Sequence, residues 1–198
     1  MADQIKGVIL DSGCGTGEIA LHFASRGQKV TGIDFLAEPI NLAKQKAVER
    51  GVTATFMVVD VLALKELLEV FDSVIDSGLF HVFSDESRRR YVEELASVLK
   101  SGGRLFLVCF SDAEPGDQGP RRGSRKEIED AFAEGWVIES IEPTRFEELQ
   151  TPRSWTNCCT DQSARTDGGE GELRNCRNTL TTPETRPLKP RRAGFGSA

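Results

Sequence analysis

Histidine is scarce in this chain: 198 residues include only His22 and His81. The five cysteines fall at irregular spacing, with Cys158 and Cys159 adjacent and Cys176 alone. Those two facts exclude the paired-ligand spacings of a structural zinc site, so no metal is expected. An odd thiol count fits free cysteines in a reducing cytoplasm better than a disulfide framework. Long apolar runs are missing as well. None approaches the roughly 18 residues of a membrane span, and Met1–Gly7 lacks the charged-then-apolar pattern of a secretory leader. Positive charge is in deficit, with a net charge of −6, which argues against a nucleic-acid partner held by a broad basic surface. There are no internal repeats. Oligomeric state is not legible.

What is present is a pattern of short apolar runs, each ending on a polar residue. Val8-Ile9-Leu10 leads into Asp11-Ser12-Gly13-Cys14-Gly15-Thr16-Gly17, and a helical pattern begins at Glu18. Glycines there let the chain turn sharply and let a ligand approach main-chain atoms. The loop delivers the chain into a helix N-terminus, where unpaired N–H groups point outward. Further β-like runs are expected at Lys29–Ile33, Thr53–Val59, Phe71–Ile75, Arg104–Phe110 and Trp136–Ile141. Helices are expected between them. One starts near Pro39 and runs to Arg50, a short one spans Leu62–Val70, and one capped by Ser84 carries Tyr91, Leu95, Val98 and Leu99 at helical spacing. The last is opened by a capping box at Ser124-Arg125-Lys126-Glu127. Strands alternating with helices at this spacing predict an α/β fold with a doubly wound, mostly parallel sheet and helices on both faces. Ligands of such sheets sit at the carboxyl ends of the strands, and Asp11, Asp34, Asp60, Asp76 and Ser77 all fall there.

A dinucleotide fingerprint reads G-x-G-x-x-G. Here the third glycine of that spacing would be position 18, which is Glu18, and the loop reads D-x-G-x-G-x-G instead. An acidic residue two before G-x-G-x-G resembles the cofactor loop of class I S-adenosylmethionine-dependent methyltransferases, whose fold is Rossmann-like. The resemblance covers roughly residues 5–149. It implies S-adenosyl-L-methionine as cofactor, with Asp11, Gly13, Cys14, Gly15 and Gly17 around the loop. It further implies Asp34 on the ribose hydroxyls, Phe35 over adenine, and Asp60 with the Val61 N–H on the adenine edge. Asp76 and Ser77 then face the methyl group and the substrate. Asp60 reads equally well as a helix cap, and Phe35 as a core residue. Leu99-Lys100-Ser101-Gly102-Gly103 looks like the family's turn into the fifth strand.

Phe71–Phe83 resembles the family's fourth-strand motif but has no Asn-Pro-Pro-Tyr-like element and no Pro-Cys pair. Both absences weigh against methylation of nucleic-acid bases. With Cys109-Phe110-Ser111 and the loop 114–122, Asp76–Phe83 is most similar to small bacterial methyltransferases of the thiopurine and tellurite-resistance type. That implies a small-molecule acceptor, a thiol or a selenium or tellurium oxyanion. His81 is the candidate catalytic base, weighed against a histidine packed between Phe80 and Phe83. Cys14 and Cys109 read as small buried fillers. Arg121 and Arg122 read as a solvated pair or a clamp for an anionic substrate.

The resemblance is expected to break at both ends. Only about six residues precede the first strand, so the family's N-terminal cap is expected to be missing. Arg145–Leu149 is too short and polar to serve as a seventh strand. Residues 151–198 carry eight Arg or Lys against five Asp or Glu, a balance of +3 that leaves −9 on residues 1–150. Poor in large apolar residues, this segment is expected to be a loosely docked or poorly ordered tail after a single domain, 1–150. Two rivals remain: a nicotinamide-dependent oxidoreductase, which Glu18 disfavours, and a non-catalytic nucleoside-binding remnant.

Overall fold

The computed structural model describes residues 2–113 and 121–144, together with the backbone of 175–181. In chain order the elements are β1 (Ile9–Ser12), α1 (Glu18–Ser25), β2 (Val30–Asp34), α2 (Ala37–Glu49), β3 (Thr55–Val58), β4 (Phe71–Ser77), α3 (Asp85–Val98), β5 (Leu99–Phe110), α4 (Arg125–Ala131), β6 (Val137–Thr144) and β7 (Asn175–Thr181). They form one sheet in the order β3-β2-β1-β4-β5-β7-β6. The pairs joining β3, β2, β1, β4 and β5 are all parallel, as expected. No helix of the described residues is long and apolar enough to cross a membrane.

Successive residues of a strand point to opposite faces, and the core divides accordingly. Leu10, Ile33, Val74, Leu105 and Leu107 pack with Tyr91, Leu95 and Val98 of α3 and with Ile128 and Phe132 of the α4 segment. Ile9, Val30, Ile75 and Phe106 pack on the other face with Ala20, Leu21 and Phe23 of α1 and Ile40, Ala43 and Ala47 of α2. The central strands are covered on both sides, which is why Val8–Leu10 and Arg104–Phe110 read as apolar runs rather than as alternating ones.

Three sequence expectations are corrected. A seventh strand exists: β7 lies between β5 and β6 and is antiparallel to both. It comes from Asn175–Thr181, inside the segment read as a tail. The earlier candidate, 145–149, and the rest of that segment lie outside the described residues, as do positions 114–120 of the long loop. Leu62–Val70 is not an α-helix but two merged 3-10 turns over Val61–Leu67, kinked at Ala63. Leu99-Lys100-Ser101-Gly102-Gly103 is not a turn ahead of the fifth strand: α3 stops at Val98 and β5 begins at Leu99. The glycine pair sits inside β5, where the register jumps from Phe71↔Leu99 to Ser73↔Arg104. A Cβ on Gly103 would stand 2.8 Å from the Lys100 carbonyl oxygen, so the irregularity needs glycine there. The capping box of α4 forms as read, between Ser124 and Glu127.

Candidate active site

The carboxyl ends of β1, β2, β3 and β4 lie side by side. Register places Ser12 beside Ile33 and beside Asp76, and Asp34 beside Val58. The four acidic strand ends therefore share one rim, and their side chains do different work.

Asp11 is buried, at 1% exposure. Its Oδ2 accepts the Ala20 N–H at 3.0 Å, one of the unpaired donors of the first turn of α1. Burial, with smaller contributions from Asp76 and Asp34, pushes its carboxyl up to about 7 against the pull of that hydrogen bond. Asp76 is more enclosed still, at 0% exposure. It accepts the Leu79 N–H at 2.8 Å, the Phe80 N–H at 3.0 Å and the Tyr91 hydroxyl at 3.1 Å. Burial raises it to about 6. The Tyr91 hydroxyl is also 2.8 Å from Ser12 Oγ, so a sealed chain Ser12–Tyr91–Asp76 runs beneath the rim. Asp76 thus reaches the rim as buried charge and backbone rather than as an open carboxylate, while Ser77 beside it is half-buried.

Asp34 is half-exposed. One oxygen accepts the Gly15 N–H and the other the Leu36 N–H, both at 3.0 Å. It ties the glycine loop to the start of α2 and still faces outward. Phe35 next to it is 70% exposed, which removes the reading of a core aromatic. Asp60 is exposed and caps the turn that follows, with Oδ1 accepting the Leu62 N–H at 2.9 Å. Val61 opens that turn, so its N–H has no partner within it.

The three loop glycines differ. All have positive φ: 74° at Gly13, 51° at Gly15 and 80° at Gly17. A Cβ on Gly17 would sit 2.8 Å from both the Ala43 Cβ and the Phe56 ring, and one on Gly13 would sit 3.0 Å from Leu79. Those two glycines allow close packing. Of the three, only Gly15 leaves the added Cβ in open space, so packing does not require its glycine. Cys14 anchors the loop through its N–H to the Ile33 carbonyl at 2.8 Å. Burial pushes its thiol well above the usual range.

His81 is corrected. It is buried, stacks on Phe110 at 4.9 Å between ring centroids, and its Nδ1 accepts the Phe110 N–H at 3.2 Å. A neutral imidazole has one acceptor nitrogen, and here the backbone occupies it. His81 packs the end of β5 and is not placed as a base. Arg121 is exposed, as read, and pairs at the surface with Asp85 at 2.5 Å and with Glu127. Cys109 is a buried filler as read. The reading missed Ser12 and Tyr91, whose signal was a lone tyrosine at core spacing facing a serine at a strand end. It also missed what occupies the α1 terminus beyond Asp11. Glu18 bonds Arg50 at 2.9 Å and Lys46 at 2.8 Å, and these partners, Arg50 first, hold its carboxyl down at about 2.

The donor set fits a cationic nucleoside: one open backbone loop, an outward carboxylate on β2, an exposed aromatic, an acceptor with a free N–H after β3, and buried negative charge below. A family model described as a methyltransferase domain matches residues 9–103. The 2-heptyl-1-hydroxyquinolin-4(1H)-one methyltransferase of Mycobacteroides abscessus is 33% identical over 146 residues, covering 72% of this chain and 64% of its own length, so the chain spans just under two thirds of that relative. An uncharacterized methyltransferase of Schizosaccharomyces pombe is 34% identical over 104 residues, covering 52% of this chain and 72% of its own length. A structure solved in work on the conversion of a disulfide bond into a thioacetal group during echinomycin biosynthesis matches with a TM-score of 0.75 at 30% identity, over 94% of this chain and 79% of that one.

Proposed function

This chain belongs to the class I S-adenosylmethionine-dependent methyltransferases, and from that premise we propose that it transfers a methyl group to a small-molecule nucleophile, a thiol before other acceptors. The observation that carries the cofactor reading is the state of the α1 N-terminus. A dinucleotide-binding sheet rests its pyrophosphate there. In this protein Asp11 already takes the Ala20 N–H, and Glu18 stands ionised in the first turn. Asp11 thus occupies a donor that a diphosphate would need and sets a carboxylate beneath the site, while Glu18 is balanced by Lys46 and Arg50; the occupied donor disfavours the nicotinamide reading.

In this proposal Gly15 and its neighbours Gly13 and Cys14 let the amino-acid end of the cofactor lie against the loop. The outward face of Asp34 accepts from the ribose hydroxyls, and Phe35 covers one face of the adenine. Asp60 and the Val61 N–H read the adenine edge. Asp11 and Asp76 supply negative potential from below, and Ser77 marks the side from which the acceptor approaches. When bound, S-adenosylmethionine supplies a methyl group on a cationic sulfur that departs as a neutral thioether and needs no acid. The chain's own task is then alignment, which contributes several kcal/mol. With the acceptor nitrogen of His81 in use, the acceptor reacts as an ion of its own making, as a thiol of lowered pKa does. The sulfur chemistry named for the structural relative supports a thiol, and the hydroxyquinolone named for the Mycobacteroides abscessus relative supplies the competing acceptor class.

Calorimetric titration tests the cofactor: S-adenosylhomocysteine should bind and NAD should not, and the reverse would overturn the reading. A methyl-transfer panel of small thiols, halides, selenium and tellurium oxyanions and a hydroxyquinolone then tests the acceptor. Binding without transfer to any of them would leave a nucleoside-binding domain without turnover.

A further inference from the structure

Helical spacing turns one arginine of the run Arg88-Arg89-Arg90 inward. Arg88 shares the face of Tyr91, Leu95 and Val98 on α3 and is 4% exposed. Its guanidinium lies 4.8 Å over the Phe80 ring, and its Nε–H donates to the Phe80 carbonyl at 3.2 Å. Its Nη2 is buried with no hydrogen-bond partner among the described residues. The nearest carboxylates, Asp85 and Glu127, stand 3.8 and 4.0 Å from Nη1, and Arg121 holds both more closely. A buried guanidinium with a free donor is costly to desolvate unless something pairs with it.

The space beside it is built for such a partner. A cavity of about 250 Å³ opens between α3 and α4, lined by Asp85, Arg88, Arg89, Arg121, Glu127 and Asp130. Three arginines face three carboxylates in this lining, and Lys126 on Asp130 at 2.6 Å leaves the groove with a balance of +1. Phe80, whose carbonyl holds Arg88, donates its N–H to Asp76 at the end of β4. Phe80 therefore links the arginine of the groove to the β4 end of the rim.

We propose that this groove binds an oxyanion, a carboxylate or a phosphate, with the guanidinium of Arg88 as its principal donor. Resting on the methyl-transfer reading, that oxyanion is a group of the acceptor, which makes the substrate class an acidic small molecule. A guanidinium presents parallel donors to a planar carboxylate or to a phosphate, where an ammonium presents a point charge.

The full chain is titrated with sodium benzoate and, separately, with inorganic phosphate at ionic strength held constant with chloride, reading melting temperature and calorimetric heat. At least one of the two should bind saturably, and which one does decides between carboxylate and phosphate. Arg88→Lys, which keeps the charge and loses the fork, should weaken that binding roughly tenfold. Arg26→Gln, at an exposed arginine on the far end of α1, should not change it. Should Arg88→Lys fail to fold, Arg121→Gln serves instead, because freeing Asp85 and Glu127 to pair with Arg88 should weaken the anion to a similar degree. No saturable binding of either anion, or equal binding by wild type and the variants, overturns the proposal. S-adenosylhomocysteine is titrated into the same samples. Anion binding without it would sink the methyl-transfer reading and leave the groove standing, and the reverse would sink the groove alone.

Discussion

Asp34 does two jobs with one carboxylate, holding the Gly15 and Leu36 N–H groups while facing outward. Asp34→Ala should therefore lower affinity for S-adenosylhomocysteine by about 1.5–3 kcal/mol, roughly ten- to a hundredfold, the usual cost of losing hydrogen bonds to a charged group. Calorimetry checks this, and Asp34→Asn should fall between the two. The glycines separate along another axis. Gly17→Ala forces a left-handed backbone on an L-residue and drives its Cβ against Ala43 and Phe56, a strain cost of about 1–2 kcal/mol plus an overpacking cost of about 1–3 kcal/mol. Gly15→Ala carries only the first, because its Cβ meets open space. Melting temperature should fall further for Gly17→Ala. Cofactor affinity, corrected for stability, should fall further for Gly15→Ala.

Strands and helices were legible where each owed its character to local pattern. Val8–Leu10, Asp34 after Lys29–Ile33, and the Ser124 box all state their roles within a few residues. The elements that were not legible depend on partners distant in sequence. β7 reads as Asn-Cys-Arg-Asn-Thr-Leu-Thr, too polar to announce a strand with a neighbour on each side, yet the open edges of β5 and β6 recruit it. His81 looked like a base because it follows a strand end; the Phe110 N–H that occupies it lies 29 residues away. Asp76 looked like an open rim carboxylate because Tyr91, 15 residues on, was not visible as its lid. If β7 closes the sheet as its seven paired positions with β5 imply, removing residues 151–198 leaves two unpaired edges, which template aggregation. The truncated chain should sediment as aggregate or melt well below the full chain. A monomeric truncation with an unchanged melting temperature would show that β7 adds nothing.

The whole molecule places acid under its own binding rim, and that has a pH signature. Asp11 and Asp76 titrate near 7 and 6 in the folded chain, against 3.8 ordinarily. Between about pH 4 and 7 the folded state holds protons that the unfolded state has lost, so these groups make stability fall as pH rises. Their contribution is complete below the ordinary carboxyl range and gone above about 7. His81 works the other way: burial, then Arg88, lowers its pKa, so its share of stability grows as pH rises. The two effects separate by substitution. Urea unfolding from pH 5 to 8 should lose stability less steeply in Asp11→Asn than in wild type, and parallel curves would remove Asp11 from the account. The same charge couples to the ligand. A cation over the rim favours the ionised carboxylate, so S-adenosylmethionine binding near pH 6.5 should expel a fraction of a proton. That fraction appears as a difference in binding heat between buffers of unlike ionisation enthalpy. It should vanish by pH 8.5, where Asp11 is already ionised, and shrink in Asp11→Asn near pH 6.5. Affinity for the cationic cofactor should rise accordingly from pH 6 to 7.5. Buffer-independent heats at pH 6.5 would mean that Asp11 and the bound cation do not sense each other.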